Sequence, residues 1–417
     1  MTAHIVIINR WQAPYADYES YIDHARHHVS YVTTDIGSGG VPAVAAATAL
    51  VAATDNLDEV RAAVAALECR FGPPRAIVAL KEDDLLTAAQ LTAERGLPGR
   101  TPDQLSVFRD KLAMARAVHA AGLNLPDFAA ADSAGTVVEF GDEHGWPVVV
   151  KPTLGSSSEG VLVFATREAV DPQWRPDPAG SLVQAWVDGR LFHVDGLFDG
   201  RAIGPWRASR YLGTPLEFRQ GHWIGSVEVD DASTLAAIED FTARLLPALT
   251  TAPTVFHLEV FVDRTSAGEP QCTFVEIGAR AGGAEIPIVW RDVHRFDLMG
   301  AAFALAANGW AREPLQVPGG DDYGGLLLIP SPTERPCRVA TVRRVHGTAA
   351  APPELYAEDT VAVGDVIASA PSYYEHVGGR FRFRGASTAV VEAAIRTVAA
   401  AFSISGTTIG AVSAVSQ

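Results

Sequence analysis

Within the first hundred residues, short apolar runs take turns with segments of helical period, and that alternation leaves the chain few architectures. Residues 5–9, 29–33, 49–53 and 76–80 read as buried strands. Residues 17–25, residues 57–69 behind an Asn56 cap, and residues 85–95 closed by Gly96 read as helices. Strands alternating with helices predict a parallel, doubly wound sheet. No GxGxxG follows the first strand, so a dinucleotide-binding reading is rejected.

Beyond this opening, residues 109–122 read as a helix stopped by Gly122, and residues 146–151 as a strand leading into a Gly/Ser loop and a second strand at 161–164. Strands follow at 182–187 and 192–197, then a polar stretch rich in Arg and Gly, then a helix at 235–246. A last amphipathic helix is expected at 390–402, followed by a frayed, small and polar terminus. With 417 residues the chain is long enough for two or three domains. It carries 33 Lys plus Arg against 49 Asp plus Glu, and a net charge of −16 repels a phosphate backbone, so nucleic acid is excluded as a partner. Cys69, Cys272 and Cys337 form no paired pattern, which points to a reducing, cytoplasmic setting. No targeting or membrane-spanning segment is expected. His24, His27 and His28 are read as a polar turn rather than a metal cluster, and Trp290 as packing.

The chemistry concentrates in residues 255–280. Runs 255–263 and 271–280 predict two strands joined by the four-residue loop 266–269. That loop places Glu259 directly across from Glu276, with Cβ atoms about 5 Å apart. His257, Glu259 and Phe261 would share a face with Phe274, Glu276, Gly278 and Arg280. Two carboxylates so close repel unless a cation lies between them, and a hard divalent ion such as Mg²⁺ suits oxygen ligands. Arg280, farther along the same face, can hold a phosphoryl or carboxylate group bidentately. A solvated polar hairpin face is the plainer reading of the same pattern.

Upstream, Lys151 ends an apolar strand beside a loop whose Ser and Gly residues offer N–H and O–H groups to phosphate oxygens. The loop is no Walker motif. Taken singly, the loop reads as a turn, Lys111 as a solvated helix lysine and Gln184 as an exposed strand residue.

Together, FRDK at Lys111, VVVKPTLGSSSEGV, LVQAWVDG, VFHLEVFVD and VEIGARAGG, in that order along nearly the whole chain, resemble the ATP-grasp superfamily, and more closely its L-amino-acid ligase branch. The resemblance implies an α/β and α+β ATP-grasp fold: an N-terminal doubly wound domain (1–105), a two-part ATP clamp (106–189 with the lid, 190–320 with the catalytic residues) and a C-terminal capping domain (321–417). It implies that Lys111, Lys151, Ser156, Ser157, Ser158, Gly160, Gln184, Ala185, Trp186 and Val187 meet ATP. Glu259 and Glu276 would bind Mg²⁺, Arg280 and His257 would act on the reacting groups, and Glu82, Gly282, Gly283 and Arg291 would meet substrate. Arg210 and Arg219 are further candidates for a free carboxylate. The sequence departs from the superfamily pattern at Gly278, where a metal-ligating Asn is usual, and at Leu191, where a Glu is common.

The activity implied is ADP-forming ligation of a carboxylate to an amine through an acyl phosphate, with amino acids as small-molecule substrates and a dipeptide or γ-glutamyl product. A homodimer is the assembly left open. A ligase of specialised metabolism with a different acceptor, and a non-catalytic nucleotide-binding module, are the alternatives.

Overall fold

The computed structural model describes residues 2–12, 15–156, 158–312, 321–332, 334–368 and 377–409. The N-terminal sheet is parallel, with strands in the order Ala47–Leu50, His28–Thr33, His4–Asn9, Ala76–Ala79. The helix Leu57–Phe71 starts where the Asn56 side chain accepts from the Asp58 and Glu59 backbones. That helix and Leu85–Glu94 bury one face of the sheet through Val60, Val64, Leu67 and Leu91. The helix expected over residues 17–25 is a single turn, Tyr18–Tyr21. The Asp23 carboxylate accepts from the Ala25 and Arg26 backbones, a local turn that competes with continuing the helix.

A small antiparallel sheet of four strands follows, ordered Phe128–Ala130, Ser181–Ala185, Val148–Pro152, Leu162–Phe164. The largest sheet has eight antiparallel strands: Pro270–Gly278, Thr254–Arg264, Arg190–Phe198, Ile203–Leu212, Ile224–Glu228, Tyr323–Pro330, Val377–Gly385 and Leu355–Thr360. Two of these, Ile203–Leu212 and Ile224–Glu228, come from the stretch read in sequence only as polar. Arg210 pairs with Glu392, Ser226 with His193 and Glu228 with His294, so polar residues occupy inward positions and hide the alternation. The boundary expected at residue 320 falls within this continuous sheet, because Tyr323–Pro330 pairs with Ile224–Glu228.

Apolar side chains fasten both faces of the large sheet. On one face, the helices Ala232–Leu249 and Lys111–Ala120 pack on Val194, Phe256, Leu258 and Phe274, while Thr388–Ala401 covers Leu327, Phe381 and Phe383. On the other, the helices Ile286–His294 and Leu298–Ala307 join the sheet to the N-terminal domain through Trp290, Phe303, Tyr18 and Tyr31. Beside that packing, the same face holds the largely buried polar groups described below. Within the stretch expected to fray, Ser403–Thr408 pairs with Cys337–Arg343, and residues 410–417 lie outside the described residues. Among the described residues, no helix is long and apolar enough to cross a membrane.

Candidate active site

The hairpin Thr254–Arg264 and Pro270–Gly278 sets the site. Near its turn, Thr265 N donates to Glu269 O, closing a loop of five residues, and Val260 pairs with Phe274. Val275 is then an extra residue in its strand, and beyond it Glu259 pairs with Glu276 and His257 with Gly278. The bulge turns Phe274 onto the core face with Val260, so the expectation that Phe274 shares the face of Glu276 is corrected.

Glu259 and Glu276 thus face each other on one side of the sheet. Burial and the opposed Glu276 push the Glu259 carboxyl up to about 7. Tyr211 Oη donates to Glu259 at 3.1 Å, and Lys111 Nζ lies 3.7 Å from Glu276. Lys151 is desolvated at the end of Val148–Pro152; burial lowers its pKa, and Glu276 and Glu259 oppose that shift. Two carboxylates, one carrying an energetic penalty for its charge, form an oxygen donor set that fits a hard divalent cation.

Arg280 follows directly on the hairpin. Its Nε donates to Glu82 Oε2 at 2.6 Å, and its NH1 donates to Ala281 O at 2.9 Å. Glu82, just past the last parallel strand, also meets Arg109 NH1 at 2.6 Å. Burial would raise the Glu82 carboxyl, but Arg280 and Arg109 hold it below the usual range. Arg109 went unnoticed in the sequence because it immediately precedes the Asp110 cap of its helix and reads as a solvated residue; in the fold it is 6% exposed. A cleft lined by Glu82, Arg109, Lys111, His257, Glu276 and Arg280 joins these groups. A roomier cavity of about 550 Å³ lies elsewhere, beside Trp206, Arg207 and Asp322.

The Gly/Ser loop leans over the cations. Lys111 Nζ donates to Gly155 O at 2.9 Å, and Lys111 N to Thr153 O at 2.9 Å. Ser158 takes the left-handed φ of 55° and Gly160 one of 69°, which shape the turn that holds Ser156. Ser157 lies outside the described residues. Gln184 is buried between Phe128 and Val149 rather than exposed, and the chain leaves the strand through Ala185, a 44% exposed Trp186 and a half-buried Val187.

After Arg280 the backbone makes a close approach. A Cβ on Gly282 would overlap Asp195 Oδ1 and stand 2.9 Å from His257 Nδ1, whereas Gly283 faces open space. Arg291 is not brought together with these groups: it lies on an exposed part of its helix, 3.7 Å from Asp292. Arg210 turns to the opposite face to pair with Glu392, and Arg219 ends the short helix Pro215–Arg219. His24 and His27 are engaged by Tyr31 and by the Ala3 backbone, and Trp290 is core.

No family model matches the chain. It is 23% identical over 233 residues to an L-arginine-specific L-amino acid ligase of Bacillus subtilis, a match covering 52% of this chain and 54% of that protein. The chain therefore spans about half the length of that curated relative. Among solved structures, an L-amino acid ligase from Bacillus licheniformis superposes with a TM-score of 0.74 at 17% identity, covering 97% of this chain and 98% of that one. A phosphoribosylglycinamide synthetase from Anaerococcus prevotii follows with a TM-score of 0.67 at 11% identity, covering 97% and 100%. With a parallel N-terminal sheet, a small four-stranded sheet and a large antiparallel sheet around one cleft, the fold is that of the ATP-grasp proteins. Within that class the chain is similar over about half its length in sequence, and over nearly all of it in fold, to the two L-amino acid ligases named above.

Proposed function

We propose that the chain is an ADP-forming carboxylate–amine ligase that joins two amino acids. The observation that carries this reading is a cleft lined by Glu276, Lys111 and Arg280, with Glu259 paired opposite Glu276 and the buried Lys151 close enough to feel both carboxylates. A site that only bound a nucleotide would have no need of an acidic pair beside an arginine of this kind. The similarity to an L-arginine-specific ligase supports amino acids as the substrate class.

Glu259 and Glu276 would hold Mg²⁺, which neutralises phosphate oxygens of ATP. Lys111 and Lys151 add positive charge from the other wall, and Ser156 and Ser158 with Gly160 offer loop donors to the phosphates. Gln184 through Val187 would border the base. A carboxylate oxygen of the first amino acid attacks the γ-phosphorus, and the bond from that phosphorus to the bridging oxygen of ADP breaks. Arg280 stabilises the charge on the transferring group. The amine of the second amino acid then attacks the acyl carbon, phosphate leaves with the C–O bonding pair, and the nitrogen loses a proton. Glu82, already a carboxylate at the cleft, and the bare backbone of Gly283 border the space for substrate. Water must be excluded from the acyl phosphate, a task suited to the loop over Lys111.

The test is phosphate release from ATP and Mg²⁺ across a panel of amino-acid pairs. Release that requires a particular pair supports the reading. Release without any amino acid, or none with every pair, overturns it.

A further inference from the structure

Beneath the acidic pair, the same sheet face carries a buried polar chain that the steps above leave unused. Asp195, 1% exposed, sits on Arg190–Phe198 with its carboxylate shared between two imidazoles. Oδ2 is 2.6 Å from His193 Nδ1, and Oδ1 is 2.8 Å from His257 Nδ1. His193 Nε2 continues to Ser226 Oγ at 2.6 Å. The strand register builds this chain, since His257 pairs with Asp195 and Glu259 with His193.

A carboxylate only accepts, so both Nδ1 atoms must be the donors. His257 is thereby left with one atom, Nε2, toward the cleft, 3.9 Å from Glu259 Oε1. A second observation ties the chain to the site. Gly282 lies so close to the Asp195–His257 contact that no side chain fits there, so the backbone just after Arg280 rests on that hydrogen bond.

Resting on the ligase reading, we infer that Asp195, His193 and Ser226 are positioning residues, which lock His257 with Nε2 toward the reacting carboxyl group and set the height of the Gly282–Gly283 backbone. The three ligand atoms of His193, Asp195 and His257 lie within 4.8 Å of one another, the spacing of a candidate metal group. Two ligands bound at about 2.0–2.2 Å to one tetrahedral zinc stand roughly 3.4 Å apart, so the 2.6 and 2.8 Å separations here are those of direct hydrogen bonds.

Two measurements test this on the full chain. The first locates the imidazole protons by ¹⁵N NMR of histidine-labelled protein without substrate, with His193→Gln and His257→Gln for assignment. Protons on Nδ1 of both rings are expected; a bare Nδ1 on His257, or stoichiometric zinc retained at the cluster, overturns the inference. The second uses Asp195→Asn, whose amide can accept from one Nδ1–H but presents a donor to the other ring and forces it into the opposite tautomer. ATP affinity and the KM for ATP are expected to stay near wild type while kcat falls roughly 10- to 100-fold, as misplacement of a reacting group does. An unchanged kcat overturns the inference and leaves the ligase reading standing. If Asp195→Asn does not fold, Ser226→Ala replaces it, with a smaller kcat loss expected and an unchanged kcat again counting against the inference. The NMR result needs no turnover, so failure of every amino-acid pair to drive ATP cleavage strikes the ligase reading alone.

Discussion

Glu259 stands directly opposite Glu276 across two antiparallel strands, one step beyond the bulge at Val275. The pair is costly without a cation, because burial and mutual repulsion together raise the Glu259 carboxyl. Glu276→Gln removes that repulsion. The variant is expected to melt no lower than the parent in the absence of metal, yet to lose activity by roughly 100-fold or more, since metal-borne charge stabilisation goes with the carboxylate. Calorimetry and phosphate release check the two halves; retained activity would contradict the metal assignment.

Glu82 is held by Arg109 and Arg280 together, and all three are largely buried. Arg109→Leu leaves that carboxylate with one cation. A loss of about 3 kcal/mol is expected, as for breaking a buried pair from one side. Urea unfolding reads it out, and a loss below about 1 kcal/mol would show the contact to be dispensable.

Asp84 gives a pH dependence whose sign can be worked through. Burial raises its carboxyl from 3.8 to about 6, with Arg10 and Thr54 opposing the shift. The folded state therefore holds a proton that the unfolded state has lost between those values. Stability from this group is fully present below about pH 4 and is lost as pH rises through about 6. The span corresponds to about 3 kcal/mol at most. Asp84→Asn, which cannot ionise, should gain on the parent as pH is raised from 4 to 7. Denaturation at several pH values tests this, and a gain in the opposite direction would contradict it.

Neighbouring glycines after Arg280 should respond differently. Gly282→Ala drives a methyl into Asp195 and His257, with an expected cost of about 1–3 kcal/mol from overpacking. Gly283→Ala meets nothing within 4 Å and should leave the melting temperature unchanged. Equal effects at the two positions would contradict this placement of the turn.

Much of the fold was legible in the sequence because local patterns agreed with the tertiary arrangement. The alternating runs gave the parallel sheet, and Asn56 marked its helix. The hairpin register was reached by a less direct route: the loop has five residues rather than four, and the bulge at Val275 restores the pairing of Glu259 with Glu276. A bulge leaves no trace in alternation alone, which is why Phe274 was assigned to the wrong face. Asp195 and His193 did leave a signal, two polar residues spaced by two in an apolar strand, but their meaning depends on His257 arriving from a strand some 60 residues later. Arg109 had no such signal, since its partner Glu82 comes from another domain. Arg291 is a candidate for a substrate carboxylate by its charge alone, and the helix that carries it turns it outward.

Transfer of a carboxylate oxygen to phosphate tests the account most directly. Incubation with ATP, Mg²⁺ and an amino acid pair, the first amino acid carrying ¹⁸O in its carboxyl group, should yield ADP, an amide product and phosphate containing one ¹⁸O atom. Product formation with unlabelled phosphate, or with the label in AMP, would contradict an acyl phosphate formed between Arg280 and the Glu259–Glu276 pair.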